Sequence, residues 1–235
     1  MKILAVDSSA VSASVALTEG DKLVSESFVN IGLTHSETLM PMVNSVLCNA
    51  KLSVKDIAAF CVTVGPGSFT GIRIGVAAIK GLAQPNQTPC AAVSTLEAMA
   101  YAADDIEGIL CCAMDARCGQ VYTAIFEVHK KVIKRLSQDI AISLEELYNI
   151  LKEYEEPVTF IGDGAGICLR YFDGKLPEIR LAGGLLRYQR AYGAVLAALA
   201  HSDDIFKAPE LLAPVYLRPP QAERELKKKK EDKQV

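Results

Sequence analysis

Asp7-Ser8-Ser9 ends an apolar run beginning at Lys2. An acid at a strand end, followed by two small hydroxyl residues, can hold a hydrated magnesium ion and offer backbone amides to phosphate. The same acid could equally stabilise a strand-end turn. Asp115-Ala116-Arg117 repeats the arrangement after the apolar run Ile109 to Met114. Here Arg117 stands where a glycine or small hydroxyl would let phosphate approach, although a guanidinium can itself pair with phosphate or carboxylate. The third stretch is Gly65-Pro66-Gly67-Ser68-Phe69-Thr70-Gly71. Two glycines bracket a proline of fixed φ, and the loop feeds a helix. Amides at a helix start favour anions, so Gly65, Gly67, Ser68 and Thr70 are anion-loop candidates. The loop matches neither the Walker pattern nor Gly-x-Gly-x-x-Gly, and a tight structural turn explains it as well. Arg73 and Lys80 on the following helix face either a ligand or solvent.

Other chemistry is poorly supplied. His35, His129 and His201 are not at metal spacing, and His35, at a helix start, reads as a surface or interface residue. The seven cysteines show no Cys-x-x-Cys spacing, and they read as small buried hydrophobes in a reducing cytosol. There is no Gly-x-Ser-x-Gly elbow. The residues therefore offer no catalytic set and no metal set. Gly162-Asp-Gly-Ala-Gly166 is the nearest thing to an adenosine loop, or else a helix-start turn.

The elements that position these residues follow from pattern. Half of the 235 residues are hydrophobic and 23% are charged, which is globular composition. Lys2–Asp7, Ser12–Leu17 and Leu23–Val29 read as a β-meander. Residues 35–50 read as a helix with Leu39, Met42, Val43, Val46 and Leu47 on one stripe. Thr34 and Glu37 could form a capping box, with a kink or late start at Pro41. Ser53 opens a short helix, 58–64 is a strand, 72–83 is a small-residue helix, and a strand at 90–93 leads to a helix capped by Ser94.

The second half restarts this order. Runs at 109–114, 121–128 and 132–141 read as strands, and Ser143 with Glu146 caps a helix to Tyr154. A strand at 158–161 and a helix at 188–201 follow. Placing Asp7 over Asp115 sets Val15-Ala-Leu17 over Thr123-Ala-Ile125 without a gap, the signature of a duplication. Two such repeats imply an α/β, actin-like ATPase fold: two similar lobes, each a mixed β-sheet with flanking helices. The lobes are expected at 1–104 and 105–218, with a charged, disordered tail at 219–235. An independent ATPase or small-molecule kinase is one function such a fold could have.

Bulk numbers exclude other classes. The net charge is −3, the sequence pI is about 5.7, and Trp is absent. An RNA-binding surface ordinarily carries a basic face, and the basic run Lys227–Lys230 lies in a tail interleaved with acids. No apolar run approaches membrane-spanning length and no leader is evident, so a cytoplasmic protein is expected.

Several segments carry a resemblance, in order along nearly the whole chain: Leu4-Ala-Val-Asp-Ser-Ser9, Thr34-His-Ser-Glu-Thr-Leu-Met-Pro41, Val64-Gly-Pro-Gly-Ser-Phe-Thr-Gly-Ile-Arg-Ile-Gly75, Lys80-Gly-Leu-Ala83, Asp115-Ala-Arg117 with Gly119-Gln-Val-Tyr122, and Pro214-Val-Tyr-Leu-Arg218. Together they resemble the TsaB (YeaZ) family. The resemblance implies the actin-like fold and a role in making threonylcarbamoyladenosine beside the tRNA anticodon. It also implies pairing with TsaD, a catalytic paralogue, joined by the ATPase TsaE, with homodimers when alone and tRNA bound mainly through the complex. TsaD-type proteins carry a metal-binding His-x-x-x-His, and the matching segment here places Thr95 and Met99 at those positions. A hydroxyl and a thioether suit such a metal poorly. The resemblance therefore implies a non-catalytic subunit with no cofactor of its own, with ATP, magnesium and the metal ion on partner subunits.

What would remain is a surface. The stripes of the first two helices, His35, Glu37, Leu39, Met42, Val43 and Val46 with Gly71, Arg73, Gly75, Val76 and Ile79, are expected to pack against partners, the small residues allowing close approach.

Overall fold

The computed structural model describes residues 1–32, 34–201 and 203–219; the expected tail, with Lys227–Lys230, lies almost wholly outside them. The first sheet is built from β1 (Lys2–Asp7), β2 (Ala13–Glu19), β3 (Lys22–Val29), β4 (Ala59–Gly65) and β5 (Cys90–Ser94). β1 and β2 are antiparallel, as are β2 and β3, whereas β4 runs parallel to β1 and to β5. The order β3-β2-β1-β4-β5 recurs in the second sheet. There β6 (Gly108–Arg117), β7 (Gln120–His129) and β8 (Val132–Arg135) form the meander, and β10 (Val158–Ile161) and β11 (Ile179–Leu181) are the parallel strands. Two sheets of one order, each with helices on it, make the two-lobed actin-like architecture.

The duplication carries one slip. Val6 faces Val15, but its counterpart Met114 faces Tyr122, not Thr123. The gapless overlay is thus one residue out, because the second hairpin closes on the tight turn Cys118–Gly119. The third strand expected at 132–141 is divided into β8 and β9 (Ile140–Ser143), both paired to β7. Between them, Ser137 Oγ accepts the Ile125 amide (2.9 Å), and Arg135 grips Asp139 (2.6 Å), replacing the ladder.

Period-two burial assigns the faces of β1. Leu4 and Val6 point into the core shared with α1 (His35–Asn49) and α2 (Phe69–Ala83). Ile3 and Ala5 point to α6 (Ala191–Ala200). On β6, Cys111 and Ala113 join the core of α4 (Leu144–Leu151) and α5 (Ala165–Phe172). Leu110, Cys112 and Met114 pack on α3 (Thr95–Tyr101). The adjacent cysteines therefore face opposite sides, and burial pushes the Cys111 thiol up to about 12.

The halves exchange helices. α3, from the first half, covers the second sheet, whereas α6, from the range 105–218, covers the first. Their axes approach so closely that a Cβ on Gly193 would lie 2.0 Å from the Ala98 carbonyl oxygen. The short strand β12 (Phe206–Lys207) also returns to pair with β5.

Local starts differ in places from the sequence reading. Thr34 stands at the α1 N-cap, but its Oγ1 accepts the Ser36 hydroxyl (3.4 Å) and caps no backbone amide, so the box with Glu37 does not form, and the helix begins at His35, ahead of Pro41. The helix expected after Ser53 is a single 3₁₀ turn, closed by a capping box with Asp56. α2 starts at Phe69, earlier than residue 72, because the Ser68 hydroxyl accepts the Gly71 amide (3.2 Å). Ser94 and Ser143 cap as expected.

Candidate functional site

A cleft of about 790 Å³ opens between the ends of the two sheets. Its first-lobe wall holds Ser9, Ala10, His35 and the loop from Pro66 to Gly71; its second-lobe wall holds Met114 to Arg117, Tyr122 and Asp163. The segment from Val215 to Pro219 closes one side.

Asp7 does not line this cleft. It is 1% exposed, and its Oδ1 accepts both the Ser9 amide (2.9 Å) and the Ser9 hydroxyl (2.7 Å). Its Oδ2 is buried without a hydrogen-bond partner. Burial raises the carboxyl above the ordinary carboxylate value, against the pull of Ser9. The glycine loop folds over the Ser8–Ser9 turn. The Ser68 amide donates to the Ser9 carbonyl (2.6 Å) and the Ser8 hydroxyl to the Gly71 carbonyl (2.9 Å). A Cβ on Gly67 (φ +153) would sit 2.3 Å from the Ser9 carbonyl oxygen, and one on Gly71 2.1 Å from that of Ser8. The glycines thus serve approach by this chain's own backbone.

The second lobe repeats the device. A Cβ on Gly162 (φ +109) would sit 2.1 Å from the Ala113 oxygen, so this loop too is packed on the end of its lobe's first strand. The same loop places Asp163 at the cleft, where its Oδ1 accepts from Gln189 Nε2 (2.9 Å), and burial raises its pKa. Asp115 Oδ1 accepts the Arg117 amide (2.8 Å), and the Arg117 guanidinium turns back to the same carboxylate at 3.5 Å.

A magnesium nucleotide, which this fold implies, does not fit these residues. Asp7 is sealed beneath its turn, both glycine loops have carbonyl oxygens against them, and Asp115 is matched by its own arginine.

Of the expected interface residues, Leu39, Met42, Val43, Val46, Val76 and Ile79 are buried in the first lobe's core, and Gly71 and Gly75 are buried as well. This corrects the expectation: an apolar stripe faces the sheet, so these side chains cannot also present a surface. Glu37 and Arg73 are exposed. His35 turns inward, and its Nε2–H donates to the Ala10 carbonyl (2.7 Å). The outer faces carry Met40, Asn44 and Cys48 on α1, and Ala77 and Gly81 on α2.

Residues near the C-terminus complete the site. Tyr216 stacks on Phe69 (4.6 Å between centroids) and accepts a bond from Arg73 Nε (2.7 Å). Arg218 crosses to the second lobe and donates to the Ala116 carbonyl (2.8 Å). Nothing in the spacing of Pro214-Val-Tyr-Leu-Arg218 announces these contacts. Thr95 and Met99, the positions of the absent imidazoles, are 0% and 1% exposed. The Met99 methyl would lie 2.9 Å from a Gly162 Cβ, so it fills space where the lobes meet.

Comparison with known proteins agrees with this architecture. A family model described as TsaD, tRNA N6-adenosine threonylcarbamoyltransferase, matches residues 31–182. The chain is 35% identical over 162 residues to the tRNA threonylcarbamoyladenosine biosynthesis protein TsaB of Bacillus subtilis, covering 69% of this chain and 71% of that protein. It is 40% identical over 129 residues to TsaB of Escherichia coli, covering 54% of this chain and 55% of that protein. The solved structure of YeaZ from Pseudomonas aeruginosa superposes with a TM-score of 0.77 at 27% identity, covering 92% of this chain and 99% of that one. On this sequence match and this shared fold, the chain belongs to the TsaB (YeaZ) family.

Proposed function

We propose that this chain is the non-catalytic activating partner of a TsaD-type transferase, which moves a threonylcarbamoyl group to the adenosine 3′ of the anticodon in tRNAs reading codons that begin with A. The observation that carries this reading is the filled site. Met99 and Thr95 stand buried where the catalytic paralogue has imidazoles, and Asp7 lies under its own turn. A protein of this family with both chemistries closed acts through its surface. The paralogue supplies the metal ion, TsaE supplies ATP and magnesium, and tRNA is held mainly by the assembled complex in the cytoplasm.

The docking face we assign is the outer side of α1 and α2, where Met40, Asn44, Ala77 and Gly81 are exposed and the small residues permit close helix approach. The homodimer formed by the chain alone uses the same face.

Reconstitution tests the role. TsaD, TsaE, tRNA and threonylcarbamoyl adenylate are combined with and without this chain, and the modified nucleoside is measured. Turnover is expected only with the chain present, and Ala77→Glu is expected to abolish both turnover and the homodimer. Full turnover without the chain overturns the reading. If the chain alone hydrolyses ATP, an independent ATPase replaces it.

A further inference from the structure

On the second lobe, away from the cleft lining, two guanidinium groups converge over the first turn of α5. Arg187 Nη2 lies 3.1 Å and Arg170 Nη1 3.8 Å from the point that a Cβ on Gly166 would occupy. Among the described residues neither arginine has an ion pair or a side-chain hydrogen bond, whereas Arg117, Arg135, Arg180 and Arg190 are all matched to acids. Both cations approach the same point on Gly166, and like charges repel, so their convergence favours an anion between them. The Arg187 backbone is fixed where its carbonyl accepts the Gly162 amide (2.8 Å), and its guanidinium lies 6.0 Å from the centre of the Tyr188 ring, a contact that leaves its N–H donors free. Arg187 is half-buried, Arg170 is exposed, and the glycine between them adds no side chain of its own, so the two guanidiniums lie against its backbone.

We propose that Arg170, Arg187 and the Gly166 backbone form a binding site for a phosphate group. Guanidinium donors match phosphate oxygens in paired geometry, and an entering dianion relieves the repulsion between the cations. The phosphate belongs either to an RNA backbone or to a free nucleotide, and the site recognises the chemistry the two share. The RNA source rests on the proposed role in tRNA modification; phosphate binding itself does not.

The first test is a calorimetric titration of the full chain with inorganic phosphate and with AMP. Arg170→Gln, Arg187→Gln and Gly166→Glu are run alongside, the last placing a carboxylate between the arginines without a change of fold. Saturable binding by the parent chain that falls about tenfold in each arginine variant and vanishes in Gly166→Glu supports the site. Binding that is absent, or unchanged in all three variants, overturns it. The second measurement is the salt dependence of tRNA binding by the assembled complex. If RNA is the source, each arginine variant weakens binding across tRNA sequences and lowers the log–log salt slope by about 1. If that slope is unchanged while AMP binding is lost, the occupant is a free nucleotide. If phosphate binds but the chain is dispensable in reconstitution, the proposed role fails and the site stands.

Discussion

The Asp7 carboxyl receives two bonds from Ser9 on one oxygen and none on the other. Its folded pKa is raised by burial, so the folded state holds the proton more tightly than the unfolded chain. Its contribution to stability is therefore present below the ordinary aspartate value of 3.8 and is lost as pH rises through the folded value. Asp7→Asn keeps the shape and removes the charge. Its melting temperature should match the parent's at low pH, rise above it toward neutrality, and level off once the parent's carboxyl is ionised. Thermal melts across that range check this, and a difference independent of pH would refute it. The acid itself was legible in the sequence as a strand-end residue, with both roles open. What decides between the roles is the Ser8–Ser9 turn folded under a loop some sixty residues further on, a distance no local pattern spans.

At the scale of elements, periodicity reported which residues are apolar and not what covers them. The stripe from Leu39 to Val46 suggests a partner surface, yet the sheet already occupies it, and the opposite faces of α1 and α2 are the ones exposed. The strands of the first meander and the caps at Ser94 and Ser143 were legible because each rests on neighbours within a few residues. β11, β12 and the break between β8 and β9 were not, since each depends on pairing with a distant strand. The glycines of α2 separate the two kinds of position. Gly71→Ala sets a methyl against the Ser8 carbonyl at 2.1 Å and should cost about 3 kcal/mol or more. Gly81→Ala meets no atom within 4 Å and should stabilise the isolated chain by about 0.5–1 kcal/mol through helix propensity. Denaturant melts of the two variants would check both signs.

For the molecule as a whole, the two lobes are joined by more than the chain between them. Ser94 donates to Asp139 (2.5 Å), and Arg135 of β8 reaches Glu97 of α3 at 3.7 Å. Across the cleft, Arg218 bridges to Ala116. Arg218→Ala removes that bridge and should cost about 1–3 kcal/mol, with faster amide hydrogen exchange in Met114–Arg117; exchange confined to the strap itself would mean that the bridge does not hold the lobes. The duplicated order of elements was visible from sequence, while the traffic between the halves was not, because helix patterns carry no record of which sheet they cover. That traffic constrains how the protein is made. One face of the first sheet, with Ile3, Ala5, Cys61 and Val93, is covered by Ala191, Ala194, Val195 and Ala198. A ribosome must therefore reach α6 before this face of the earliest strands is shielded from water. Until then the nascent chain presents that apolar face to any chaperone at the exit tunnel, and a product cut short at residue 104 would keep it bare.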